Sequence, residues 1–493
     1  MVRLSRWVVD GWAELGTRFL PFADAATPDL PLSRLLRLSL FQVSCGMAMV
    51  LLMGTLNRVM IVEMHVPAAL VAVMVSLPIV FAPLRAVIGF RSDAHQSALG
   101  WKRVPFIWRG SMVQFGGFAI MPFALLVLAG AGQSSHYPAW IGQFSAGLAF
   151  LLVGAGVHTV QTVGLALATD LVPQEGRPKV VGLMYVMLLA GMIISALLFG
   201  GLLADYSPGR LVQVIQAAAV VTLVLNVIAV WKQEARKPLQ AHTATASDDP
   251  DFAEAWALFK SGPDALRRLL IVGLGTAAFT MEDVLLEPYG GEILHMSVGD
   301  TTLLTATLSA GGLFGFGLAS HVLGRGFDPF RMAGLGAMVG VPAFAAVILA
   351  APLAAPVWFG VGVLLIGFGG GLFSHGTLTA TMQAAPARQV GLALGAWGAM
   401  QATAAGLAVA FGGIAKDVYG ALTDATQGYI FVYCLELLLL VVTIGAMAPL
   451  AGWRRTHHPP ILQDHMTLTT WTLIAWVYIV ARVLTNHYGK TKG

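Results

Sequence analysis

Twelve predominantly apolar stretches follow one another along this chain, near 36–62, 66–90, 105–131, 139–169, 179–204, 210–231, 266–293, 301–323, 330–350, 355–382, 389–415 and 427–450. About 20 apolar residues in helical form cross the hydrocarbon core of a bilayer, and a helix closes its own backbone hydrogen bonds there. The chain is therefore expected to be an all-α integral membrane protein. Composition agrees, because 57% of the 493 residues are hydrophobic and 11% are charged, too few charges to cover a soluble globule. The 56 glycines are read as places where helices approach closely. Cys45 and Cys434 both lie in apolar runs and suggest neither a disulfide nor a metal site.

The charges between the runs set orientation. Arg34 and Arg37 precede the first run, Lys102 and Arg103 follow the second, and Arg177 and Lys179 follow the fourth. Arg236, Arg267 and Arg268, then Arg325, Arg331, Arg388, Arg454 and Arg455 continue the series, while the loops near 132–138 and 351–356 carry no charge. By the positive-inside rule the amino terminus and the end of the twelfth run are expected to be cytoplasmic. The polar stretch 232–264, with AHTATASDDPD at its centre, separates the runs into two sets of six.

The expected organisation is a cytoplasmic segment 1–33, a six-helix half 34–231, a linker 232–264, a second six-helix half 265–453 and an extension 454–493. The first segment, with Trp7, Trp12 and three arginines, reads as an amphipathic surface helix and not as a signal peptide. In the extension, TLTTWTLIAWVYIVARVL at 467–484 is either an interfacial helix or a thirteenth span, and its aromatic residues favour the interface.

GFRSDAHQSALGWKR at 89–103 puts Asp93 and its cations between two apolar runs. It resembles the signature loop between the second and third helices of the major facilitator superfamily. That resemblance implies twelve helices in two halves related by an axis along the membrane normal. GRGFDPFR at 324–331 places Gly324, Asp328 and Arg331 as a weak copy in the second half. Asp93, Lys102 and Arg103 are expected to form a cytoplasmic latch with Asp170 and Arg177, because acids cap helix N-termini and cations pair with acids on neighbouring helices.

The run near 266–293 contains TMEDVLLEPYGGEIL at 280–294. Acids inside a membrane segment are costly unless paired or hydrated, so Glu282, Asp283 and Glu287 are candidates for proton coupling or gating, or else external loop acids. Read as one helix, the segment places Asp283 and Glu287 on one face, with Pro288, Gly290 and Gly291 breaking it. His158, His321 and His375 are candidates for ligating the central metal of a tetrapyrrole, since neutral imidazole is a good axial ligand. Trp397 and Gln401 lie four apart in a Gly- and Ala-rich run that offers either a flat wall for a macrocycle or a close-packing face. Arg58 and Glu63 are expected to pair. No phosphate-binding loop, His-Glu-x-x-His or serine elbow occurs, so no catalytic residue and no protein-bound metal is expected.

LNRVMIVEM (56–64), GWKRVPFIWRG (100–110), ATDLVPQEGRPKVVGLMYVM (168–187), LLEPYGGEIL (285–294) and GLALGAWGAMQATAAGLAVAFGG (391–413), in that order, resemble the PucC/LhaA family. This is the bacteriochlorophyll delivery branch of the facilitator superfamily, and the resemblance covers about 34–450. It implies a non-enzymatic factor in the inner or intracytoplasmic photosynthetic membrane, which transiently binds bacteriochlorophyll and chaperones light-harvesting antenna alpha and beta polypeptides. The photosynthetic reaction centre, bacteriochlorophyll synthase and membrane lipids are further expected partners; nucleic acid is not. Two other readings stay open: a proton-coupled transporter of a small molecule, and a structural adaptor of antenna rings that binds no pigment.

Overall fold

The computed structural model describes residues 30–80, 88, 91–92, 101–130, 136, 138–173, 177–234, 264–353, 355–384 and 390–450. Among these, the long elements are all helices: α1 (Leu32–Glu63), α2 (Ala68–Val80), α3 (Val104–Leu128), α4 (Ala139–Asp170), α5 (Arg177–Leu202) and α6 (Pro208–Val230). After a gap follow α7 (Ala265–Glu292), α8 (Val298–Leu323), α9 (Pro329–Ala350), α10 (Pro356–Ala384), α11 (Val390–Leu422) and α12 (Ala425–Met447). Eleven are long and apolar enough to cross a membrane, and α2 is described over a shorter apolar length. The amino-terminal segment, most of the linker and the run at 467–484 lie outside the described residues.

Several helices start where local chemistry demands it. Ser207, Asp328 and Asp424 each accept a hydrogen bond at the start of α6, α9 and α12, from the backbone N–H of Arg210, Arg331 and Gln427. Pro208 and Pro329 occupy first-turn positions whose N–H would otherwise be unsatisfied. The seams inside each half need glycine. A Cβ on Gly156 of α4 would lie 2.5 Å from the Gln114 nitrogen of α3, and one on Gly336 of α9 would lie 2.5 Å from the Gly369 carbonyl of α10. Contact this close is how helices associate without a hydrophobic drive between them. Outward, Phe123, Phe144, Phe314 and Leu407 are exposed, as residues facing lipid are.

The chain packs as two units, 1–251 with Ser297–Ser309, and 252–296 with 310–493. This departs from a boundary inside the linker alone, since the first half of α8 belongs with the first unit. Small residues permit it: Gly299 approaches the backbone of Gly200 and Ala204, and the Thr302 hydroxyl lies 3.3 Å from that of Thr55. Phe41, Phe118 and Phe150 fill the first unit, while Tyr289, Tyr429, Tyr433, Phe344 and Phe359 fill the second.

α7 is interrupted, but upstream of the break expected at Pro288, Gly290 and Gly291. It runs as α-helix over Ala265–Thr280, tightens to a 3₁₀ turn at Met281–Val284, and resumes over Leu286–Glu292. Pro288, Gly290 and Gly291 lie within the resumed helix, and the interruption falls upstream of them. The reason is steric, because Pro288 has no N–H for the Val284 carbonyl four residues back and its ring would collide with it.

Candidate functional site

At one end of the first unit, the start of α3 meets the ends of α4 and α6. Arg103 is buried; its Nε donates to Asp170 Oδ2 at 2.9 Å and its Nη1 to the Ser92 hydroxyl at 2.6 Å. The first N–H groups of a helix have no carbonyl a turn earlier in the helix to donate to. Glu234, just beyond α6, accepts from the backbone N–H of Lys102 at 2.6 Å, of Arg103 at 3.0 Å and of Val104 at 2.9 Å. Next to it Arg34 donates to the Gln233 side chain and carbonyl, both at 3.0 Å. Arg103 and Asp170 thus come together, and Lys102 joins through its backbone. Asp93 lies outside the described residues, and of Arg177 only the position at the start of α5 is described.

At the other end of that unit Arg58 is buried and pairs with Glu63. Tyr206, between α5 and α6, sits near both; burial, and then the Glu63 charge, push its hydroxyl above the usual tyrosine value.

The second unit holds acids in its interior. Glu282 and Glu436 are fully buried, Glu287 is 3% exposed and Asp283 is partly exposed. These are not external loop acids. Nor do Asp283 and Glu287 form a pair on one continuous helix face, since the first stands in the 3₁₀ turn and the second in the following helix. The 3₁₀ turn that carries Glu282 packs against α12, which carries the buried Glu436. Lys416 of α11 sits 3.9 Å from Glu292 and 3.3 Å from Asp417, and its ammonium lies over the Tyr429 ring. Tyr429 donates to Glu292 at 2.8 Å.

The three histidines occupy different surroundings. His158 is half-buried in α4, His321 is exposed in the last turn of α8, and His375 is half-buried in α10 with its ring 4.3 Å from Phe316. Nδ1 of His375 is buried without a hydrogen-bond partner among the described residues. Two residues on, the Thr377 hydroxyl accepts from Trp397 Nε1 of α11 at 3.3 Å, and Gln401 follows one turn later, half-buried. Part of the glycine wall of α11 is consumed by packing, because a Cβ on Gly412 would lie 2.8 Å from the Met281 carbonyl of α7. Gly398, beside Trp397, has open space around it.

With this geometry in place, the comparisons with known proteins are decisive. Residues 55–454 match the family model described as PUCC protein. A PucC protein of Rhodovulum sulfidophilum is 62% identical over 418 residues, 85% of this chain and 92% of its own. The chain belongs to the PucC family. A second PucC protein, of Cereibacter sphaeroides, is 57% identical over 90% of this chain and 97% of its own. Among solved structures, a bacterial homologue of the human lysosomal transporter Spinster in an inward-facing, unoccupied conformation aligns with a TM-score of 0.64 at 14% identity, over 85% of this chain and 96% of that one. At that identity the likeness establishes fold alone. This PucC-family chain is a multi-pass membrane protein with a helical bundle of the major facilitator type.

Sequence reasoning missed Glu234, Ser92 and Glu436. Glu234 stands in WKQEARK, where its cationic neighbours hide its part in a contact made across 130 residues. Glu436 had a plain signal, as the lone acid within FVYCLELLLLVV.

Proposed function

We propose that this protein is a non-enzymatic assembly factor for photosynthetic light-harvesting antenna complexes, acting in the bacterial inner or intracytoplasmic photosynthetic membrane with its amino terminus cytoplasmic. It binds or delivers bacteriochlorophyll and chaperones the antenna alpha and beta polypeptides. The reaction centre and bacteriochlorophyll synthase are the neighbours it would work beside. The observation that carries the reading is the match to PucC proteins over nearly their whole length. The physical setting supports it: a tetrapyrrole with an isoprenoid tail is nearly insoluble in water, and a bilayer-facing helical wall suits its transfer.

Of the three candidate histidines, His375 fits the pigment best. Its buried Nδ1 lacks a partner among the described residues, Phe316 lies against the ring, and Trp397 and Gly398 stand on the adjoining stretch of α11. A bound bacteriochlorophyll would supply a Lewis-acidic magnesium that takes a nitrogen ligand. His375 would provide that nitrogen, while Phe316 and Trp397 would supply apolar surface and exclude water from it. Arg103, Asp170 and Glu234 would tie three helix ends together on the cytoplasmic side.

The test is purification of the tagged chain from a phototrophic host and from a strain lacking its own copy of the gene. Expected are absorbance of bound bacteriochlorophyll, co-purification of antenna polypeptides, and pigment loss in His375→Ala. Colourless protein that still retains antenna polypeptides would support the pigment-free adaptor instead. Colourless protein with no antenna partner, but with flux driven by a pH gradient in proteoliposomes, would support the transporter.

A further inference from the structure

We infer that the second unit contains a site for one monovalent cation, a proton or a sodium ion, held between Glu282 of α7 and Glu436 of α12. The inference is independent of pigment binding and of the antenna partners.

Both carboxyl groups are fully buried, and none of their four oxygens has a well-formed hydrogen bond among the described residues, although the Glu282 backbone N–H stands close to Glu436. Yet the 3₁₀ turn and α12 pack against each other and bring the two groups close enough to interact. These observations agree once the chemistry is considered, because two carboxylates are both acceptors and cannot bond unless something positive sits between them. Bare, the pair would combine the desolvation of two charges with their mutual repulsion. A single positive charge removes the repulsion and leaves one net negative charge to desolvate in place of two.

A third group points to the same place. Tyr433, one turn before Glu436 on α12, is fully buried, its hydroxyl has no hydrogen-bond partner among the described residues, and it lies near enough to both acids to feel their charge. A hydroxyl left without a partner in such a place costs about 1 to 3 kcal/mol. A ligand or proton shared by the two carboxyls would order them so that Tyr433 could donate to one of them.

The cations placed around this region are engaged elsewhere. Lys416 sits with Glu292, Asp417 and the Tyr429 ring, Arg267 donates to the Ala446 carbonyl at 3.1 Å, and Arg268 lies over the Phe330 ring. Asp283 on the same turn interacts with both acids, so it adds negative charge instead of cancelling it. Glu287 and Tyr289 follow on α7, and Tyr429 faces from α12.

The backbone is suited to the task. Glu282 stands on the 3₁₀ turn that interrupts α7, and interrupted helices are where membrane proteins bind small cations, because the regular hydrogen-bond ladder is open there. Gly412 of α11 lets that turn press close, which fixes the Glu282 backbone opposite α12.

The experiment uses the purified full chain in lipid nanodiscs, wild type and the variants Glu282→Gln, Glu436→Gln and Tyr433→Phe. Thermal unfolding is followed in sodium chloride against choline chloride across a pH series, with binding of radioactive sodium and the infrared carbonyl stretch of buried protonated carboxyls. A sodium occupant predicts saturable binding of one ion and stabilisation by sodium. A proton occupant predicts the infrared band, no effect of sodium, and stability that falls as pH rises and the pair loses its proton. In either case each Gln variant removes the dependence, because its amide donates to the remaining carboxylate. Tyr433→Phe keeps both acids, so it reports even if the Gln variants fail to fold, and is expected to weaken the bound cation about fivefold, roughly one hydrogen bond. The proposal is overturned if wild type shows neither sodium binding nor the infrared band, or if Glu436→Gln folds and keeps the wild-type dependence.

Discussion

The two units are polar inside in different ways. In the first, buried amides and hydroxyls answer one another: Gln161 donates to Gln42 at 3.4 Å, Asn226 to the Ser111 hydroxyl at 3.0 Å, and Ser44 to the Thr222 carbonyl at 3.2 Å. Its charges gather at the ends, with Arg103, Asp170 and Glu234 at one and Arg58 with Glu63 at the other. In the second unit the charges lie within the helices, as Glu282, Glu287 and Glu436. Neutral pairs hold whatever the pH or salt. Buried carboxylates hold only with a positive partner, so the second unit is the one whose stability follows its surroundings.

The contrast can be broken first at the seams, which the two units share. Gly156→Leu forces the α3–α4 backbones apart and is expected to abolish folded protein, with Gly336→Leu doing the same between α9 and α10; size-exclusion profiles of fluorescently tagged chains measure both. If only one variant fails, the seams are not equivalent. Next, Asp170→Asn removes the carboxylate 2.9 Å from the buried Arg103 guanidinium. A fall of about 2 kcal/mol is expected in thermal unfolding, less than for a fully buried pair because Asp170 is partly exposed.

Glu234→Ala frees three N–H groups and a helix dipole end, for a loss of about 1.5 kcal/mol. The counterpart in the second unit, Asp328→Ala, removes one local cap and is expected to cost about 1 kcal/mol or less. Smallest is Asn226→Leu, at about 1 kcal/mol or below with an unchanged pH profile. A pH-dependent effect at Asn226 would show that the first unit is not the neutral scaffold it is taken to be.

Hydropathy alone disclosed the helices, since each span is a local property of about 20 residues. The breaks and contacts were less legible. Pro288 announced an interrupted α7, but placing the interruption requires knowing that the clash falls on the residue four back, so the acids ended up on a turn and not on one helix face. Arg103 and Asp170 could be paired by reasoning about ends of adjacent helices. Glu234 could not, because nothing local distinguishes an acid that caps a distant helix from one in water. Glu436 was readable from its apolar neighbours, although its partner on α7 was not. Trp397 and Gln401 were placed correctly on one helix, but whether an indole faces lipid or a threonine hydroxyl is decided by α10.

The reach of Glu234 has a consequence for how the chain is made. The groups it caps lead into the start of α3, and the carboxylate that caps them emerges from the ribosome 130 residues or more later. At ordinary elongation rates that delay is on the order of 10 s. During it, the third helix sits in the translocon or bilayer with its leading N–H groups seeking water or lipid headgroups. Completion of α6 closes the first six helices in one event, before the polar linker and the acid-bearing second half arrive. A nascent chain stalled just after residue 230 should therefore be open at this end to protease or to a chemical probe, and one stalled well past Glu234 should be closed.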